Sequence, residues 1–426
     1  MQDAPNVRVV ITEYRPDVTH ANRQGYSLLY IPGFTREEDF YDQYCRMLWY
    51  VQPMLADVAG IFYATSFTPP TGFKIPRYLD PAISGLAGPF KGKVRRFSFD
   101  DVEVWSRLIK QADIIMHWDI TSLHPDPRIA RVIEAGMKKK RIYRVDKNNF
   151  QFDGSISVFL SHDTNKHFDS DLNKCKLKFD KMMDELAENR KGYVFGTGPS
   201  LGRVLGMDLS DGLSIACNSM VRNETLLSKL QPKIFVVGDA VFNAGCSSYA
   251  GKFRRHLCDL LDRYGCYFLV PFRDYRIYMT HLPVRFRDRI IGIPFRHMDH
   301  VNLDLSTEFV ITTTSNILTA FLIPLACTLF KEVGIAGCDG RKLEDDSYFW
   351  SHHKESQLTE EMENIKLAHP GFFRLVDYND YYLEHCTTLE RWLVAGEEKG
   401  IVFSNLTPSY IPALQKRTIP SPPIGS

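Results

Sequence analysis

An apolar run of strand length, Tyr193 to Phe195, breaks into Gly196-Thr197-Gly198-Pro199-Ser200-Leu201 and passes into a helix-like segment on the way to Asn218. A strand, a tight glycine turn and a helix start in that order leave few folds open, because this is the repeating unit of a parallel α/β sheet. Gly196 and Gly198 permit positive φ and close backbone approach, Pro199 suits a first helical turn, and Ser200 lies beside N–H groups that lack helical partners. Such a turn is built to hold an anion. Two nucleotide motifs can be tested against it. A phosphate loop of the Walker type ends in Gly-Lys-Ser/Thr, and no Lys follows within this turn. A dinucleotide fingerprint needs G-x-G-x-x-G, and the third glycine here, Gly202, comes one residue late. The bland alternative is an ordinary βα turn without a ligand.

The same rhythm runs along the chain. In the first half Val7–Ile11, Ser27–Ile31, Ile61–Ser66, Ala112–Trp118 and Arg141–Val145 read as strands, and Arg36–Val58, Val102–Gln111 and Pro127–Gly136 as helices. Asn148 to Asn173 is polar and reads as irregular, and Leu172 to Asn189 as a charged amphipathic helix. In the second half Leu213–Cys217, Ile234–Gly238, Tyr267–Val270, Ile290–Ile293, Val310–Thr312 and Val333–Gly337 read as strands. Tyr378–Glu398 then reads as a helix with an apolar stripe and Ile401–Ser404 as a last strand. This predicts an N-terminal α/β domain over 1–170, a connecting helix over 171–190, a C-terminal α/β domain over 191–415 and a tail over 416–426.

With 426 residues, 44% of them apolar, the chain can bury two or three cores. Lys plus Arg number 52 against 51 Asp plus Glu, which leaves no field for nucleic acid, so none is expected as a partner. The nine cysteines form no C-x-x-C pair, and with no secretory signal at the N-terminus the expected compartment is a reducing cytoplasm. Phe309 to Phe330 is uncharged over the length of a bilayer span, yet Thr312 to Asn316 and Pro324 interrupt it. A buried strand, a polar turn and a buried helix explain it better.

In parallel sheets ligands gather at the carboxyl ends of the strands. In the first half those ends carry His117, Asp119, Asp146 and Lys147, each equally readable as a loop cap; in the second they carry Thr197, Asn218, Asp239, Thr313 to Asn316 and Asp339. Thr314-Ser315-Asn316 precedes the apolar segment Ile317–Phe330 and offers a second helix start for an anion. Two such starts suit a ligand with two anionic groups, such as a nucleotide monophosphate joined to a sugar acid.

The motifs GTGPSL, ACN around Asn218, KIFVVGD into Asp239, TTTSNILTA and GIAGCDG resemble, in that order, the nucleotide half of bacterial enzymes that use CMP-activated sugar acids. The chain is similar to small bacterial sialyltransferases over about Gly192 to Leu414, and to the longer retaining β-Kdo transferases, which place such a domain behind an N-terminal α/β domain. Pterin pyrophosphokinase-like ATP-binding proteins share G-x-G-P-S-L and a strand ending in Asp. The resemblance implies two Rossmann-like domains facing a cleft, as in GT-B glycosyltransferases, and transfer of the keto-sugar acid Kdo from CMP-Kdo to a saccharide or glycolipid acceptor in surface polysaccharide assembly. It places Gly196, Thr197, Gly198, Pro199 and Ser200 at the CMP phosphate and ribose, Asn218 near the phosphate, Thr314, Ser315 and Asn316 near the phosphate or sugar carboxylate, and Asp339 with Gly340 near the cytidine. Where the sialyltransferases have Asn and Gly, this chain has Thr197 and Asn316, and an expected Asn-Pro is Gly238-Asp239. That last departure favours a retaining enzyme with Asp239 as nucleophile.

His369-Pro370 is similar to the His-Pro motif by which sugar-acid transferases hold the CMP phosphate, which makes His369 a second catalytic candidate; the bland alternative is a surface turn. His352, His353 and His385 are weaker candidates. No H-x-x-x-H pair stands with a carboxylate and no acidic D-x-D cluster with metal-ligand logic stands out, so neither a metal nor a cofactor besides the donor is expected. Peripheral contact with the inner membrane through the acceptor is the remaining expectation on location.

Overall fold

The structure, a computed structural model, describes residues 4–14, 25–342, 354–375 and 378–419. Its chain forms two compact α/β units, each around a parallel sheet. The first comprises Met1–Lys166, Ala240–Gly251 and Glu360–Val376, the second His167–Asp239, Lys252–Thr359 and Asp377–Ser426.

In the first unit the strands are β1 (Thr12–Glu13), β2 (Tyr26–Ile31), β3 (Val58–Thr65), β4 (Val94–Ser98), β5 (Ile114–His117) and β6 (Arg141–Arg144). They lie in the order β1-β4-β3-β2-β5-β6, all parallel. Helices α1 (Glu37–Tyr50), α2 (Val102–Gln111), α3 (Pro127–Met137) and α4 (Asp153–Asp163) accompany them. Asp101 starts α2 by accepting the N–H groups of Glu103 and Val104, and Asp126 starts α3, with Pro127 in its first turn. α2 and α3 bring Trp105, Leu108, Ile109, Ile129 and Ile133 into one apolar cluster with Leu29, Ile31, Phe62 and Ile115 of the sheet.

In the second unit α5 (Phe168–Leu186) leads into β7 (Lys191–Phe195), β8 (Leu213–Cys217), β9 (Ile234–Val236), β10 (Tyr267–Pro271), β11 (Ile290–Ile293), β12 (Glu332–Ala336) and β13 (Val402–Asn405). The order is β11-β10-β9-β8-β7-β12-β13, again all parallel. β8 to β11 are nearly continuous apolar runs because a parallel sheet is covered on both faces. Strand succession reverses between β7 and β12, and a doubly wound sheet opens its ligand crevice at that switch point.

Several expectations need correction. The boundaries 1–170, 171–190 and 191–415 miss that 240–251 and 360–376 belong to the first unit. There Ser247 bridges to Leu79, Cys246 O accepts Asp80 N–H, and Ala240, Ala244, Ala368 and Phe372 are buried. The 171–190 helix is α5, within the second unit. Val310–Thr312 does not extend the main sheet: Ile311–Thr312 pairs with Phe295–Arg296 in a separate ribbon, and Asn6–Arg8 likewise pairs with Gly72–Lys74. Residues 148–173, read as irregular, contain α4, whose buried face includes Gly154, Ser155, Ser157 and Ser161 and so carries little apolar periodicity.

Candidate functional site

At the switch point β7 ends in the glycine turn and β12 in Gly337-Cys338-Asp339-Gly340. Gly196 N–H donates to Ala336 O at 2.9 Å and Gly198 N–H to Gly337 O at 2.8 Å. A Cβ on Gly196 would stand 2.4 Å from Gly337 O, and one on Gly198 2.1 Å from an Asp339 carboxylate oxygen, so both positions need glycine. Pro199 opens a short helix over Pro199–Gly206. Its anion site is already filled: Ser200 N–H donates to Asp339 Oδ1 at 3.0 Å and Ser200 Oγ to Oδ2 at 2.7 Å. Burial raises the Asp339 carboxyl above its ordinary range, with the Ser200 hydrogen bonds opposing. Thr197 stands half-buried in the turn, and Gly340, at φ +64, packs where a Cβ would meet Ile411 and the Tyr382 hydroxyl.

Asn218, the residue after β8, adopts φ +49, and its Oδ1 is buried with no hydrogen-bond partner. A left-handed non-glycine residue costs about 1–3 kcal/mol and an unmet buried acceptor about as much, a combination typical of ligand sites. Asp239, half-buried, follows β9. Ile234, Phe235 and Val236 of β9 pair with Tyr267, Phe268 and Leu269 of β10, and Arg273 is the second residue of the helix Phe272–His281 that follows β10. The charge of Asp239 bears on Arg273, Tyr278 and Tyr381.

The second expected anion site is also internally satisfied. Asn316 Oδ1 accepts Leu318 N–H at 2.9 Å, and the Thr314 hydroxyl bonds to that of Thr319 at 2.9 Å. Ser315 is exposed, and its carbonyl accepts the Tyr381 hydroxyl. The chain then enters a π-helical turn, Leu318–Leu322, and a short α-helix, Ile323–Leu329.

Reading the sequence missed Arg273, Asp274 and Tyr381 at this edge. Arg273 and Asp274 stand directly after the apolar run of β10, a signal of the same kind that singled out Asp239. Tyr381 lies on the helix Tyr378–Glu398, whose apolar stripe hid it.

In the first unit Asp146 accepts the N–H groups of Ile120 and Asn148, and Asp119 binds Thr121 and Ser122, so both serve as loop caps. His117, at the end of β5, is buried, and that burial lowers its pKa, with backbone hydrogen bonds from the Ser122 and Asp119 region opposing. Lys147 pairs with Asp42 at 3.0 Å. His369 is fully buried, its Nδ1 3.0 Å from Asp153 Oδ1. It closes a network in which Arg46 binds Asp42 and Asp153, each at 2.9 Å, and donates to Ala368 O. Burial would raise the Asp42 carboxyl, but Arg46 and Lys147 outweigh it and hold it down at about 2. Beside Arg46 lies a cavity of about 10 Å³, room for roughly one water. His385 is a buried imidazole whose pKa burial pushes down to about 4, and His352 and His353 lie outside the described residues.

Among the described residues no group of three or more His, Cys, Asp or Glu side chains could hold a metal ion, and no helix is long and apolar enough to cross a membrane. Fold and edge together define an α/β protein whose seven-stranded parallel unit brings a glycine turn, a strained Asn and two carboxylates to one edge. Compared with known proteins, the chain matches no family model, and no curated protein or solved structure is significantly similar to it.

Proposed function

We propose that the seven-stranded unit binds a CMP-activated sugar acid and that the protein is a retaining β-Kdo transferase, passing Kdo from CMP-Kdo to a saccharide or glycolipid acceptor. The observation that carries this reading is the placement of Asp239 on the same sheet edge as the glycine turn and Asp339, next to Arg273 and Tyr381. Asp339, with its hydrogen-bonding oxygens turned into the turn, suits ribose hydroxyls better than a phosphate, since two anions repel. The phosphate and the sugar then lie towards Asn218, Ser315 and Asp239.

Asp239 attacks the anomeric carbon of Kdo, the bond to the phosphate oxygen breaks and CMP leaves with the electron pair. The acceptor hydroxyl then displaces the carboxylate, giving its proton to water or a basic group, and two inversions retain the configuration. The proposal includes the GT-B type of architecture, in which one Rossmann-like domain holds the donor and the other the acceptor, and a cytoplasmic, peripherally membrane-associated place of work. Nucleic acid has no part in it.

A thermal-shift panel tests the donor. A ligand at a hundred times its Kd stabilises the folded state by about 2.7 kcal/mol, which raises Tm by several degrees. CMP and CDP are expected to do so without metal. Stabilisation by ATP with Mg²⁺ and not by cytidine nucleotides would favour the pyrophosphokinase-like alternative and overturn this proposal; stronger protection and turnover with CMP-sialic acid than with CMP-Kdo would make the protein a sialyltransferase. Because the donor carries one phosphate, transfer is expected to persist in excess EDTA; loss of activity restored by Mg²⁺ contradicts this part of the proposal.

A further inference from the structure

We infer that Trp118 is the stacking platform for a neutral sugar ring at the switch point of the first unit, an inference that rests on the transferase reading only in naming that sugar the acceptor. The strands of this unit lie in the order β1-β4-β3-β2-β5-β6. The chain steps from β2 through β3 to β4 on one side and then crosses back to β5 and β6 on the other, so strand succession reverses between β2 and β5. The crevice of such a sheet lies outside the carboxyl ends of those two strands, which here run into Pro32-Gly33-Phe34 and Trp118-Asp119.

Two aromatic rings meet there. Trp118 N–H donates to Ile31 O at 3.0 Å and its indole Nε1 to Pro32 O at 2.8 Å, which ties the side chain to the end of β2. One face of the indole lies on Phe34, with the ring centroids 4.6 Å apart and the planes 7° from parallel. Phe34 is fully buried and packs in turn on Phe40 and Tyr63, whereas Trp118 is half-buried. What solvent reaches is therefore the far face and the six-membered edge, and among the described residues no second ring and no cation lies against Trp118. An indole fixed through its nitrogen and backed by a buried ring is a rigid flat surface. It turns the negative face of its π-system to C–H groups, and the apolar side of a sugar ring supplies C–H groups of the matching polarity. The charges around it select a neutral ligand. The first turn of α1, which follows the Pro32-Gly33-Phe34 loop, carries Glu37, Glu38 and Asp39, and Asp119 follows Trp118. Arg36 pairs with Glu38 and Asp39 at 3.7 and 3.8 Å, and Lys147, after β6, pairs with Asp42. Such carboxylates repel a phosphate and accept hydrogen bonds from hydroxyl groups, so the crevice suits a saccharide and not a nucleotide.

The test puts a fluorine on the ring. The chain has five tryptophans, and in protein made with fluorotryptophan the fluorine resonance missing from the Trp118→Phe spectrum belongs to Trp118. Methyl glycosides of glucose, galactose, mannose and N-acetylglucosamine, at millimolar concentration, are the probes. At least one of them is expected to move that resonance, and CMP to leave it in place. By calorimetry the same glycoside is expected to bind Trp118→Ala about tenfold more weakly than the wild type, the share that one aromatic contact supplies, and Trp118→Phe, which keeps a ring on Phe34, with a smaller loss. A Trp118 resonance that responds to none of the glycosides, or wild-type affinity in Trp118→Ala, overturns the inference. A response to CMP in place of the glycosides makes the crevice a nucleoside site and overturns it as well. If a glycoside moves the resonance while cytidine nucleotides fail to stabilise the fold, the sugar platform stands and the nucleotide-sugar reading falls by itself.

Discussion

Asp239→Ala protein is expected to fold, to bind CMP as tightly as the wild type and to lose sugar transfer by about 10³- to 10⁶-fold, as loss of a covalent nucleophile does. The expectation of normal folding comes from placement: Asp239 is half-buried after β9 and is no part of the apolar core of its unit. That of lost turnover comes from chemistry, because without the carboxylate no glycosyl-enzyme forms and a retaining transfer has no first step. Wild-type protein given CMP-Kdo without acceptor is expected to gain one sugar-acid mass on the peptide that contains Asp239. An Asp239→Ala protein with near-normal turnover would overturn both the nucleophile assignment and the retaining stereochemistry.

The largest stability effect is expected at Arg46, in the first unit. Its guanidinium faces Asp42 and Asp153, whose side chains are 3% and 1% exposed. Arg46→Met leaves one carboxylate to Lys147 and the other to His369, and uncompensated buried charge costs about 3–5 kcal/mol. For a unit of this size Tm falls on the order of 10 °C. Arg46→Met/Asp42→Asn/Asp153→Asn, which removes the charges together, is expected to regain most of the loss, and an Arg46→Met protein within about 1 kcal/mol of wild type would refute the account. Asp42 adds a pH signature. Its folded pKa of about 2 lies below the ordinary 3.8, so its stabilisation is complete above about pH 4 and drains away as pH falls towards 2. Acid titration of Tm in wild type and in Asp42→Asn checks this, the variant losing less between those limits.

How much of the structure the sequence made legible depends on the reach of its signals. Leu213–Cys217, Ile290–Ile293 and Val102–Gln111 are elements with the bounds the sequence suggests, because a short apolar run or a capped helical stripe is a local pattern. The glycine turn was legible as an anion holder, and its chemistry as a transferase site remains a proposal. Illegible was the identity of the nearest anion: Asp339 lies 139 residues from Ser200, and no local pattern announces the pairing. α4 was hidden for a different reason, since serines and a glycine share its buried face. His369, read from the His-Pro motif as a phosphate holder with a surface turn as the alternative, is instead buried against an acid 216 positions away. Segments 240–251 and 360–376 carry apolar residues that any core would accept, so only the fold decides which core takes them.

The interleaving of those segments bears on how the protein comes off the ribosome. Lys166 ends the first stretch of the first unit, but Ala368 and His369, which complete the surroundings of Arg46 and Asp153, emerge roughly 200 residues later. At about 5–20 residues per second the unit waits about 10–40 s with buried ions half-matched. The second unit gathers most of its strands during that wait and receives β13 last of all. Early exit of the N-terminal stretch therefore gives no head start: the first unit closes only when most of the chain has been made, and a nascent chain stalled before residue 360 carries neither unit complete.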